Sequence, residues 1–125
     1  MKLKGYRYHH IGIPTDQPVA GECYLEQLKM YAAGFENSRF GVEWLRFDDD
    51  CPLPELVKTE PHVAFVVENL AAALEGEKVI IPPNSPSPGV TVAFIEHQGA
   101  PVEFLEFDDA DSAIWPGEKD PRSPD

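Results

Sequence analysis

The sequence predicts an α+β chain made of two copies of one small, mostly β unit, the first with its helix reduced or absent. Three observations predict it. Residues 42–49, Val-Glu-Trp-Leu-Arg-Phe-Asp-Asp, line up with residues 102–109, Val-Glu-Phe-Leu-Glu-Phe-Asp-Asp, with identity at all but two positions. Upstream of each lies a matching pattern, His10-Ile11-Gly12-Ile13 and His62-Val63-Ala64-Phe65, whose apolar and small residues suit a buried strand. Between the two, the prolines and glycine of residues 14–21 stand where the second unit has a short helix and disfavour more than a turn of one.

The elements follow in order. After the strand carrying His10, residues 14–21 hold two prolines and a glycine, which disfavour more than a turn of helix and predict a loop. Residues 25–35 fit an amphipathic helix or a strand; a strand over 28–35 is preferred because the second unit has one there. The strand carrying Glu43 closes the first unit, residues 5–49. A linker, residues 50–59, begins Cys51-Pro52-Leu53-Pro54 and leaves space for one helical turn at 55–59.

In the second unit, residues 60–109, a strand starting at His62 leads to Asn69, which can cap a short helix over 70–74 stopped near Gly76. Residues 78–81 read as a strand and the Pro- and Ser-rich 82–88 as a loop. Strands 90–96 and 102–107 form a hairpin around Gln98-Gly99, completing a β-α-β-β-β order. Residues 110–125 are polar and aperiodic, an irregular tail with Ile114 and Trp115 as its anchors.

Composition excludes several roles. Of 125 residues, 10 are basic and 22 acidic, and the net charge of −12 repels phosphate backbones and anionic membrane surfaces. No apolar run has the length of a membrane helix or signal peptide, so a soluble, cytoplasmic protein is expected. Cys23 and Cys51 form no C-x-x-C pattern and read as reduced thiols.

The chemistry sits in the repeats. Strand side chains alternate, so His10 shares a face with Gly12, while His9 shares the other with Ile11; Glu43 points with Leu45, and Glu103 with Leu105. A lone strand His is more often a hydrogen-bonded core residue, and a lone strand Glu faces solvent. A carboxylate on an apolar strand face is costly unless paired or metal-bound, and here the anomaly recurs at matched positions. If the units pack about a pseudo-two-fold axis, His10, Glu43, His62 and Glu103 converge as an N₂O₂ site for zinc, nickel, cobalt, manganese or ferrous iron. His9 competes with His10, but only His10 aligns with His62. His97 falls in the hairpin turn and reads as solvated. The pairs Asp48-Asp49 and Asp108-Asp109 read as strand-ending, solvated acids, and Arg46 as the partner of a surface acid or a substrate carboxylate.

Tyr8-His9-His10-Ile11-Gly12-Ile13, residues 61–70 (Pro-His-Val-Ala-Phe-Val-Val-Glu-Asn-Leu) and Pro101-Val102-Glu103-Phe104-Leu105-Glu106 together resemble the vicinal oxygen chelate superfamily, which includes glyoxalase I, methylmalonyl-CoA epimerase, extradiol dioxygenases and bleomycin-resistance proteins. The resemblance implies paired βαβββ modules in a cupped mixed sheet around a central cleft with one divalent metal ion, and His10, Glu43, His62 and Glu103 stand where the glyoxalase-like branch has its ligands. It implies an isomerase, epimerase or lyase that stabilises an enediolate of a small oxygenated metabolite, with Glu103 or Glu43 as general base. Gly12, Ile13 and Pro14 stand where glyoxalase I has a glutathione-contacting arginine, which argues against a glutathione substrate. Two other functions remain open, a non-catalytic drug-sequestering protein and an iron-dependent ring-cleaving dioxygenase. Family analogy implies a homodimer and a small-molecule partner.

Overall fold

The computed structural model describes residues 5–109 together with Ala113 and Trp115. The chain runs β1 (Tyr6–Pro14), β2 (Cys23–Leu25), β3 (Met30–Ala33), β4 (Val42–Phe47), α1 (Glu55–Thr59), β5 (His62–Val67), α2 (Leu70–Leu74), β6 (Lys78–Ser87), β7 (Val90–His97) and β8 (Ala100–Phe107). The strands form one curled mixed sheet in the order β2-β3-β4-β1-β5-β8-β7-β6, so its two halves mirror one another about the β1/β5 seam. That seam is antiparallel, as a two-fold relation requires, while β1/β4 and β5/β8 are parallel and all other pairs antiparallel. The result is a cupped α+β sheet.

A parallel pair needs a crossover, and the two halves make it differently. Between β5 and β8 the chain forms α2 before β6 and β7. Asn69 caps α2 by accepting a hydrogen bond from the Ala72 N–H through Oδ1 at 2.9 Å, and Glu106 accepts from the Leu70 N–H at 2.7 Å. Leu70 and Ala73 then seal the outer face of the sheet over Val67, Ala93, Ile95 and Phe104. Replacing Asn69 with Ala is expected to destabilise the protein by about 1 kcal/mol in a chemical-denaturation curve, the usual cost of losing such a cap. Between β1 and β4 no α-helix forms, as the prolines predict. Trp44, which occupies the position of Phe104, consequently stays 39% exposed where Phe104 is 3% exposed.

Two expectations need correction. The strand expected over 28–35 is only Met30–Ala33: Lys29 takes a positive φ (54°) in the turn from β2, and Gly34 (φ 99°) starts a 3-10 turn, Phe35–Asn37. Residues 82–88 are not simply a loop, because β6 continues to Ser87 along the sheet edge with three register shifts against β7. Proline is tolerated there since an edge strand leaves one row of backbone groups unpaired. The tail's expected irregularity and the anchor at Ile114 lie outside the described residues. Trp115 is described, and its ring lies 4.3 Å from the Arg7 guanidinium carbon. Cys23 is exposed and Cys51 buried, both free thiols. Among the described residues no helix is long and apolar enough to cross a membrane.

Candidate metal centre

The seam strands aim the site. Across β1 and β5, Gly12 faces His62 and Ala64 faces His10; on the outer sides, Glu43 of β4 neighbours Gly12 and Glu103 of β8 neighbours Ala64. Each imidazole therefore stands over a small residue and beside a glutamate. The fit is tightest at His62, because a Cβ added to Gly12 would lie 2.2 Å from His62 Cε1.

Nε2 of His62 lies 3.1 Å, and Nε2 of His10 3.2 Å, from the same oxygen, Oε1 of Glu103. One donor atom from each of these three residues falls within 4.8 Å of the others. Glu43 stands at the edge of this group, its Oε1 3.8 Å from His10 Nε2. His10, His62 and Glu103 are buried, whereas the Glu43 side chain keeps 24% exposure. The structure thus brings all four predicted residues together, three closely and Glu43 more loosely.

The two carboxylates are electrostatically unlike. Burial pushes the Glu103 carboxyl up, but hydrogen bonds and charge from both imidazoles more than reverse this and hold it well below the usual carboxylate range. Burial also raises Glu43; attraction from His10 offsets it only in part, and Glu103 adds repulsion, so Glu43 ends above the usual range. For His10, burial disfavours the charged ring, yet the bond and charge of Glu103, with help from Glu43, raise its pKa.

Two imidazole nitrogens converging on a buried carboxylate oxygen form a donor set that suits a borderline divalent ion. His10, His62 and Glu103 would hold it, with Glu43 within reach as a fourth donor. Gly12 supports this fit by leaving the space that the His62 ring needs. His62 Nδ1 is buried with no hydrogen-bond partner among the described residues, and the edge-to-face contact with Phe94, at 4.9 Å between centroids, helps fix the ring instead.

Strict alternation predicts His9 on the opposite face from His10, and the structure corrects this. A register shift between Tyr8 and His10 marks a β-bulge at His9, which buries both rings and brings their Nδ1 atoms to 2.7 Å. A bond between two Nδ1 atoms needs one donor and one acceptor. With a metal bound, His10 would donate from Nδ1 to His9 and its Nε2 would give up the hydrogen bond to Glu103 and turn a lone pair to the ion, the role that outer partners of metal-binding histidines support. His9 stacks on Phe35 at 4.9 Å. Replacing His9 with Phe, which keeps the stack and removes the nitrogen, is expected to weaken metal binding about 10- to 100-fold, as measured by competition with a chelator.

The four residues line one cavity of about 190 Å³, walled mainly by apolar side chains such as Leu28, Met30, Leu45, Val92 and Phe94. The linker contributes Leu53 and Val57 to the same wall. Arg46 is not there: it pairs with Glu22 and stacks 3.9 Å over Tyr31, which decides its role in favour of the surface acid. His97 ends β7, exposed and away from the cavity.

Two solved structures share this fold. The hypothetical protein BH1468 from Bacillus halodurans C-125 superposes with a TM-score of 0.62 at 20% identity, over 85% of this chain and 97% of that one. Methylmalonyl-CoA epimerase from Mycobacterium tuberculosis superposes with a TM-score of 0.52 at 14% identity, over 85% and 92%. No family model and no curated protein matches the sequence.

Proposed function

We propose that this chain is a metal-dependent isomerase or epimerase of the vicinal oxygen chelate superfamily, moving a proton on a small oxygenated metabolite. The observation that carries the reading is the buried group of His10, His62 and Glu103 donors within 4.8 Å of one another, in an apolar cavity that Glu43 also enters. The shared fold of an epimerase supports the same kind of chemistry.

A divalent ion bound there would supply Lewis-acid stabilisation of charge developing on two neighbouring substrate oxygens. The protein's own groups divide the remaining work. Glu103, held by both imidazoles and ionised, is the structural carboxylate. Glu43 is looser, partly exposed to the cavity and raised in pKa, so it is the better placed to take and return the proton. The apolar walls limit water around a deprotonated carbon.

Replacing Glu43 with Gln should leave metal content near that of the wild type while slowing solvent deuterium exchange into a bound α-hydroxyketone by about 10²- to 10⁴-fold, the usual worth of a general base. If metal content falls as it does on removal of a buried ligand while exchange in the loaded variant is normal, Glu43 is a ligand and not the base.

One observation favours a second reading. The close group of two histidines and one carboxylate is also the donor set of non-haem ferrous oxygenases, so a ring-cleaving dioxygenase remains the alternative. Oxygen consumption by the iron-loaded protein with catechol selects it.

A further inference from the structure

The chemical class of molecule that this site accepts can be read from its walls; the inference rests on the metal-site reading above and refines it. Among the described residues, every lining residue other than the two His–Glu pairs is apolar except Asn84. Its amide nitrogen is engaged by the carbonyls of Pro82, at 2.9 Å, and Val92, at 3.4 Å, so the group it can offer is an acceptor oxygen. An acceptor welcomes a hydroxyl and repels an anion.

Among the described residues no cation offsets this. Among the described residues Lys29 pairs with Asp50, Arg46 with Glu22, Lys58 with Glu55 and Lys78 with Glu96, while Arg7 and Arg39 lie over the rings of Trp115 and Phe40. None of them lines the cavity. Two carboxylates against one divalent ion would leave the centre neutral, and the chain's net charge of −12 adds a field that disfavours anions. An anionic group placed along these walls would be desolvated without a partner, which is the most costly kind of burial. The volume, about 190 Å³, is also below the ~300–1,000 Å³ of sites for drug-sized ligands.

We propose that the cavity takes an uncharged, apolar-bodied molecule bearing two neighbouring oxygens, of the α-hydroxyketone kind, and rejects molecules with a second, non-coordinating carboxylate or phosphate. Leu25, at the exposed sheet edge yet lining the cavity, is the position at which this preference can be altered without disturbing the metal ligands.

Two probes with one chelating head test it: hexanohydroxamic acid, ending in a methyl group, and adipic acid monohydroxamate, ending in a carboxylate. Titrated calorimetrically into the zinc-loaded protein, the first should bind at least about tenfold more tightly, and Leu25→Arg should abolish or reverse the difference. Equal affinities, tighter binding of the acid, no binding of either probe, or a preference that Leu25→Arg leaves untouched would each overturn the proposal. The same titrations on metal-free protein separate the two readings. If hexanohydroxamic acid binds equally with and without zinc, the metal site fails, while the tail preference still decides the class of ligand.

Discussion

Glu103→Gln is expected to leave the purified protein nearly free of divalent metal in elemental analysis, and the wild type is expected to retain about one ion per chain. The substitution keeps the shape of the side chain and removes the charge that both His10 and His62 address at 3.2 and 3.1 Å. Loss of an anionic ligand in a buried site should weaken affinity by about a hundredfold or more, beyond the 10- to 100-fold typical of outer partners. Equal metal content in the two proteins would remove the basis of the proposed function.

The same variant has a signature in the metal-free state. The folded pKa of Glu103 is lowered, so its stabilising contribution is present above the usual carboxylate range and is lost as pH falls through the folded value. The folded pKa of His10 is raised, so its contribution is present below the usual imidazole range and is lost as pH rises through the folded value. Chelator-treated wild-type protein should therefore gain most from this pair between those limits. In Glu103→Gln the plot of Tm against pH should flatten on both sides of that window.

Gly12→Ala should produce the second large effect. The new Cβ would meet His62 Cε1 at 2.2 Å, a separation that no side-chain adjustment short of moving the ring can relieve. Overpacking of this kind costs about 1–3 kcal/mol, which for a chain of this size lowers Tm by several degrees. Metal affinity should fall with it, because His62 Nε2 can no longer face Glu103. A double variant, Gly12→Ala with His62→Ala, separates the two consequences: stability should recover while metal binding stays lost. If Gly12→Ala alone retains full metal affinity and an unchanged Tm, the ring does not occupy the space assigned to it.

How much of this was legible in the chain follows from how it is encoded. The strands carrying His10, Glu43, His62 and Glu103 could be recognised because duplication shows the same unusual residue types twice, and because α2 carries its own cap in Asn69. The bulge at His9 could not be foreseen, since period-two reasoning assumes unbroken register and only the neighbouring strand reveals the extra residue. The adjacency of two histidines was the available clue. Similarly, Pro82, Pro83 and Pro86 look like loop residues until it is known that their strand lies at a sheet edge. The different settings of Glu43 and Glu103 were hidden for another reason. Matching sequence positions predict matching environments, whereas burial and hydrogen bonding belong to the assembled sheet.

The helix present on one half and missing from the other distributes local stability unevenly. Among the described residues no helix covers Trp44, so the half containing β2, β3 and β4 should exchange its amide hydrogens sooner than β7 and β8. Glu43 rides on that more easily opened half and Glu103 on the more protected one. If exchange follows that order, a small molecule entering the cavity should displace the Glu43 wall and leave Glu103 anchored in the other.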